Sequence, residues 1–290
     1  MIQLKNKVCI VTGANAGIGK EAATQIATHG ASVVMACRSR ERGEPVLQEM
    51  REKSGSNKVH LEIVDMSSQA SIRSFCETFR TQHSQLDVLI HNAADFDISR
   101  KKAMMSPERI ETVWATNHLG PFLMTKLLWD LLKAGGGRVI TVASKGLIVH
   151  PRLKIDFADI QFEKKAYSAQ RAYYQSKLAQ VMYTYQLAQK GKVDGITAHC
   201  VRVTNVKVDV DRYPDISALS KFLYKLKSYF AISPEEMAKT YTWLAGETEL
   251  SDKTGMYWDA VDKPVMSSAY ATDKHEQIKL WEFSEQMIQS

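Results

Sequence analysis

Six short runs of consecutive apolar, largely β-branched residues punctuate the chain: Val8 to Thr12, Ser32 to Ala36, Val59 to Val64, Leu86 to Ile90, Arg138 to Val142 and Ile196 to Val201. Runs of this length, bounded by Gly, Ser or Asp, suit strands buried on both faces. Between them lie longer stretches of helical period that begin near Gly17, Ser39, Ser68, Ser106, Tyr167 and Ser233. Alternation of strand and helix predicts right-handed crossovers and a parallel sheet covered by helices, an α/β fold. No linker, fixed-period repeat or low-complexity tract divides the chain. One domain is therefore expected over 1–290, with a C-terminal cap over 266–290 that ends in the helical stretch Lys274 to Met287.

Two stretches break the rhythm. Gly146 to Ala166 is charged and weakly periodic, which predicts a long connection. Asn205 to Ile232, rich in Tyr, Phe and Leu, follows the last of the six runs. Long insertions at the carboxyl ends of parallel strands commonly cover a site, so 205–232 is expected to be a lid over a substrate. Its Tyr213, Phe222, Tyr229 and Phe230 suggest a bulky apolar or aromatic substrate, although such side chains also suit the packed face of a helix.

Composition narrows the class. A hydrophobic fraction of 44% is too high for a disordered chain, and 15 Gly and 7 Pro in 290 residues exclude collagen-like sequence. No apolar run reaches the roughly 20 residues of a membrane span; Lys126 and Asp130 interrupt the greasiest segment, Phe122 to Leu132. Met1 leads straight into a strand-like stretch with no secretory segment, so an intracellular, cytoplasmic protein is expected. The net charge of +6 is spread along the chain without a nucleic-acid-binding pattern, which leaves a solvated basic surface as its reading. Cys9, Cys37, Cys76 and Cys200 lie far apart, without metal-type spacing, as expected of buried reduced thiols. No metal site is expected.

Directly after the first run comes Thr12-Gly13-Ala14-Asn15-Ala16-Gly17-Ile18-Gly19-Lys20. Glycines between a strand and a helix permit a tight turn and bring backbone N–H groups to a pyrophosphate, with the helix N-terminus adding free donors. Gly13, Asn15, Ala16, Gly17, Ile18 and Gly19 are thus candidate dinucleotide contacts. Cys37-Arg38-Ser39-Arg40 ends the second run, where a carboxylate would otherwise meet an adenosine ribose. A guanidinium pairs there with a 2′-phosphate, so Arg38 and Ser39 favour NADP(H) over NAD(H). A helix-initiating Ser39 with solvated arginines is the plainer alternative. Asp65 and Met66 after the third run, and Asn92, Ala93 and Ala94 after the fourth, would lie along the same cofactor.

Tyr173-Tyr174-Gln175-Ser176-Lys177 falls in a long helical stretch. Tyr173 and Lys177, four residues apart, share a face. A phenol with an ordinary pKa near ~10 needs help to exchange protons at neutral pH, and an ammonium one turn away supplies it. Tyr174 points about 100° away and is expected to pack. Ser144 follows the fifth run, where its hydroxyl can hydrogen-bond a carbonyl or alkoxide. Asn117, in an apolar helix-like stretch, reads either as a satisfied core amide or as the holder of a water that relays protons from Lys177.

Taken in order, Thr12 to Gly19, Asn92-Ala93-Ala94, Asn117, Ser144 and Tyr173…Lys177 resemble the short-chain dehydrogenase/reductase family along essentially the whole chain. Ala36-Cys37-Arg38, Asn117-His118-Leu119-Gly120 and Gln175-Ser176-Lys177-Leu178-Ala179 look most like its retinol-dehydrogenase-like branch. Members of that branch often carry an N-terminal membrane anchor; no such segment precedes the first strand here. The resemblance implies a Rossmann sheet of seven parallel strands in the order 3-2-1-4-5-6-7. It also implies a catalytic tetrad of Asn117, Ser144, Tyr173 and Lys177, three of which (Asn117, Tyr173 and Lys177) also touch the cofactor. Subunit pairing through the Asn117 and Tyr173 helices, giving a homodimer or homotetramer, is implied as well.

The chain departs from the family in three places. Ala94 replaces the usual Gly. Arg202-Val203-Thr204-Asn205-Val206-Lys207-Val208 lacks the Pro-Gly after the sixth strand and the Thr four residues beyond that Gly. Val206 still offers backbone groups to a nicotinamide carboxamide, and Thr204 or Asn205 is expected to replace the missing hydroxyl. Two functional classes follow from the sequence. One is an NADP(H)-dependent oxidoreductase interconverting a ketone or aldehyde and an alcohol; the other is a catalytically idle NADP(H)-binding regulator. An intact tetrad favours the first. A nucleic-acid-binding protein has only the net charge in its favour.

Overall fold

The computed structural model describes residues 1–97, 99–207 and 231–288. Most of the expected lid, 208–230, with Val208 and all its aromatic residues, lies outside the described residues.

The six apolar runs become strands β1 (Val8–Thr12), β2 (Ser32–Cys37), β3 (Val59–Ile63), β4 (Val88–His91), β5 (Arg138–Ser144) and β6 (Thr197–Val203). They are joined by β7 (Met256–Ala260) and β8 (Lys263–Pro264) in the order β3-β2-β1-β4-β5-β6-β7-β8. This corrects the expectation of seven strands. The first seven are parallel, and β8 adds an antiparallel edge through a tight return from β7. The side chains of β1 alternate between the two faces of the sheet, Cys9 and Val11 to one and Ile10 to the other.

Helices α1 (Gly17–Thr28), α2 (Arg40–Ser54) and α3 (Gln69–Gln82) follow the first three strands. Ser39 and Ser68 begin α2 and α3 as N-caps, each accepting a backbone N–H three residues on. The helix expected near Ser106 starts later, as α4 (Thr112–Trp114). Ser106 instead folds a turn, its Oγ accepting from the Glu108 and Ile110 N–H groups, and Arg109 takes φ +59°. Glu111 caps α4, its carboxylate accepting from the Trp114 N–H at 2.8 Å.

A π-helical turn, Ala115–Leu119, links α4 to α5 (Gly120–Leu127), and α6 (Trp129–Gly135) leads into β5. Pro121 lacks the N–H that an α-helix would offer the Asn117 carbonyl. Helix α7 (Ala169–Gly191) returns to β6, and α8 (Pro234–Gly246), capped by Ser233, packs beside α1.

The C-terminal elements are α9 (Ala269–Thr272) and α10 (Lys274–Met287), the latter on the residues expected to be helical. Helix α10 lies across α5 and α7. Trp281 meets Phe122 edge-on at 4.8 Å between ring centroids, and Lys190 sits over its other side at 4.7 Å. Ser284 shares a hydrogen bond with His118, and Gln277 accepts one from Gln186. Helix α10 thus covers part of α5 and α7. Trp281→Ala removes the centre of this contact and is expected to cost about 2–4 kcal/mol, read as a lower midpoint in urea unfolding.

Candidate active site

The glycine-rich turn leaves β1 and enters α1 with its backbone turned outward. Gly17 has φ +54°, and a side chain added there would meet nothing within 4 Å, so the turn faces open space. Gly19 has the opposite constraint: a Cβ would lie 2.3 Å from the Asn92 amide nitrogen. That amide donates to the carbonyls of Thr12 at 2.9 Å and Gly13 at 3.3 Å. Asn92 therefore braces the turn, and the Ala93 N–H holds Thr12 Oγ1 at 2.9 Å. The backbone N–H groups of Ala14 and Asn15 face the Cys37 thiol, which burial pushes up to about 11. Ala16 caps α1 without a side-chain hydrogen bond, so the helix opens with unspent backbone donors.

Arg38, at the end of β2, is exposed and has no ion pair among the described residues, whereas the Ser39 hydroxyl is spent on the Arg42 N–H. Asp65 accepts from the backbone and hydroxyl of Ser67, and Met66 is buried beneath Gly120. Ile18 packs on the core and Ala94 is exposed. Val206 pairs with Ile232 in an isolated parallel bridge.

At the same edge of the sheet, β5 ends in Ser144, whose Oγ accepts from the Gly146 N–H at 3.2 Å. Helix α7, capped by Ser168, carries Tyr173 and Lys177 to that edge. Lys177 is only 3% exposed; its Nζ donates to the Val142 carbonyl at 2.9 Å and lies 5.6 Å from the centre of the Tyr173 ring. Burial lowers its pKa from 10.5 to about 8. Tyr174 turns away, packing on Gly146 and on the His150 ring at 4.5 Å.

The lowered Lys177 value has a definite sign in stability. Folded protein holds this proton less tightly than unfolded protein, so Lys177 destabilises the fold below pH 8 and the penalty is relieved as pH rises from about 8 toward 10.5. Wild-type unfolding free energy, measured against Lys177→Met over that window, is expected to show this rise; the variant lacks it.

Asn117, 2% exposed, is a satisfied amide. Its Oδ1 accepts from the Asp95 N–H at 2.7 Å, and its Nδ2 donates to the Asp95 carbonyl and to Ser176 Oγ, both at 3.0 Å. Its backbone carbonyl, freed by Pro121, accepts from Gln180 Nε2 at 2.7 Å. The side chain of Asn117 thus has the first of its two readings, a satisfied core amide. Asn117 acts as a strut for the loop after β4. Arg100 completes the strut with a bidentate pair to Asp95, at 2.7 and 3.0 Å, and a bond to Thr112.

This loop carries Phe96 onto Tyr173, with ring centroids 4.0 Å apart. The sequence reading missed both Phe96 and Gln180. Gln180 was findable, because it lies seven residues after Tyr173 and three after Lys177, on the same helical face. Phe96 carries no local signal.

Ser144, Tyr173, Lys177 and Asn117 are thus brought to one end of β4–β5 and α7, and the glycine turn and Arg38 to the same carboxyl edge of β1 and β2. This is the crevice in which open α/β sheets bind ligands.

Comparison with known proteins agrees with this arrangement. The family profile described as short chain dehydrogenase matches residues 7–152. Human retinol dehydrogenase 12 is 35% identical over 293 residues, covering 99% of this chain and 88% of the relative. Human retinol dehydrogenase 13 is 32% identical over 289 residues, covering 98% and 85%. Among solved structures, a protein from Mycobacterium paratuberculosis superposes with a TM-score of 0.76 at 24% identity, covering 100% of this chain and 96% of the other. A short chain dehydrogenase from Shigella flexneri complexed with NADP gives 0.66 at 22% identity, covering 89% and 99%. With the family profile matched over half its length and relatives above 30% identity along nearly all of it, the chain belongs to the short-chain dehydrogenase family, in its retinol-dehydrogenase-like branch.

Proposed function

We propose that this protein is an NADP(H)-dependent oxidoreductase that interconverts a ketone or aldehyde with an alcohol on a bulky apolar or aromatic substrate. One observation carries the reading: the Tyr173 ring, with the buried Lys177 cation against it, comes to the same sheet edge as Ser144 and the open glycine turn. When bound, a nicotinamide dinucleotide supplies the hydride. The residues present fit such a group. Gly17 leaves space at the turn, the Ala16 N-cap leaves the first turn of α1 without a side-chain hydrogen bond, and Arg38 is exposed with no ion pair among the described residues.

Tyr173 gives its phenolic proton to the carbonyl oxygen in reduction and takes it back in oxidation. Lys177, a cation on the same helix face, favours the phenolate, and with the Val142 carbonyl as its one hydrogen-bond partner among the described residues it has donors for ribose hydroxyls. Ser144 steadies the reacting oxygen by hydrogen bond. Phe96 and Tyr173 present stacked aromatic surface, which supports an apolar or aromatic substrate. Asn117 holds the loop that carries Phe96. The four free, buried cysteines suit a reducing compartment such as the cytoplasm.

NADP(H) preference rests on Arg38, and the NADP bound to the Shigella protein supports it. Arg38→Asp is expected to weaken NADPH binding roughly 10-fold or more, removing a charge-assisted pair and adding repulsion, while NADH binding improves. Fluorescence titration with the two nucleotides checks this, and equal affinities in the wild type would remove the basis for NADP(H). The activity itself is tested by NADPH-dependent reduction of a panel of aryl ketones and aldehydes.

A further inference from the structure

We propose a binding site for an apolar carboxylate, separate from the candidate active site, in the cleft between the β5–α7 connection, α7, β7 and the start of the C-terminal cap. The cleft holds about 210 Å³ and is lined by neither Asn117, Ser144, Tyr173 nor Lys177. Its walls are apolar: Leu147 and Leu153 from the connection, Leu178 and Val181 from α7, and Tyr257 from β7.

Two of its side chains have nitrogens without a hydrogen-bond partner among the described residues. Arg202 gives its Nε to Asp259 at 2.7 Å, and its two terminal nitrogens have no hydrogen-bond partner among the described residues. His150 Nε2 is buried without a partner. Two serines also line the cleft, each accepting through its oxygen: Ser267 from Tyr185 and Ser268 from the Ala271 N–H. Asp259 also meets Lys145 at 3.3 Å, so two cations share one carboxylate and a positive charge is left over.

A neutral apolar guest would leave the Arg202 terminal nitrogens and His150 Nε2 unpaired, and a cation would be repelled. A carboxylate accepts from the Arg202 guanidinium and, with the imidazole proton on Nε2, from His150, and it neutralises the surplus charge while an alkyl tail fills the walls. Exposed Ile148 and Met266 also line the cleft and give such a tail an apolar way in.

The test is calorimetric titration of the full chain with octanoate and with octan-1-ol. Octanoate is expected to bind at least roughly 10-fold more tightly than the alcohol. Arg202→Met and His150→Ala are each expected to weaken octanoate while leaving octan-1-ol unchanged, with melting temperatures confirming that the variants fold. His150→Ala leaves the Arg202–Asp259 pair intact and so reports even if Arg202→Met misfolds. Tyr173→Phe is expected to bind octanoate as the wild type does. Equal affinity for acid and alcohol, full octanoate affinity in His150→Ala and in folded Arg202→Met, or loss of binding in Tyr173→Phe would each overturn the proposal. None of these outcomes depends on turnover, so the site stands or falls apart from the oxidoreductase reading.

Discussion

Tyr173→Phe is expected to fold with an unchanged melting temperature and to lose roughly 10²–10⁴-fold in kcat, the range associated with a positioned proton donor. The substitution keeps the ring that packs against Phe96 at 4.0 Å and lies near Lys177, and removes only the hydroxyl. Because the ring contacts persist, KM for an aromatic ketone should move little, so the loss falls on the chemical step. Steady-state kinetics of NADPH oxidation give both parameters. A variant retaining most of its kcat would assign proton transfer to another group and leave the Tyr173–Lys177 pair without a catalytic role.

The second large effect is structural. Asn117→Leu keeps the volume of the side chain and removes its hydrogen bonds to the Asp95 N–H and carbonyl and to Ser176. Ser176 keeps its bond to the Tyr173 carbonyl, so the cost falls on the two Asp95 backbone groups, at about 2–4 kcal/mol together. Urea unfolding should show that loss as a lowered midpoint with an unchanged slope. Activity should fall as well, because the Asp95–Arg100 pair alone cannot fix the loop that brings Phe96 to Tyr173. Asn117→Asp, which retains the Oδ1 acceptor for the Asp95 N–H, should recover part of the stability. Stability unchanged in Asn117→Leu would show that the strut is not what holds this loop.

Much of the architecture was legible because its signals are local. β1 and the C-terminal helix fall on the expected residues, and Ser39, Ser68 and Ser233 begin their helices as caps. In these places burial period, cap chemistry and turn residues agree. The misreadings arise where distant parts of the chain decide. β7, Met-Tyr-Trp-Asp-Ala, lacks the β-branched run that marks the others, so only the family resemblance implied it, and it is a strand because β6 pairs with it. β8 exists only as the return of β7. The Ser106 stretch has a capping residue and helical period, yet Arg109 turns left-handed and postpones the helix to Glu111.

The site divides in the same way. Tyr173, Lys177, Ser144 and the glycine turn could be placed from strand ends and helical spacing. The two readings of Asn117 could not be separated, because the answer lies in Asp95, Ser176 and Gln180, which reach it from a loop and another helix. Ser39 is a helix cap, as its plainer reading has it, and Arg38 is exposed with no ion pair among the described residues. Asn92 likewise spends its amide on the turn itself.

The most direct measurement is isotopic. The protein is mixed with NADPH deuterated at the transferable position and a panel of aryl ketones and aldehydes, and the products are analysed by mass spectrometry. The account predicts alcohol carrying one deuterium at the carbinol carbon with the wild type and almost none with Tyr173→Phe. Tight NADPH binding with no deuterated alcohol from any member of the panel would contradict it and leave the protein a nucleotide-binding regulator.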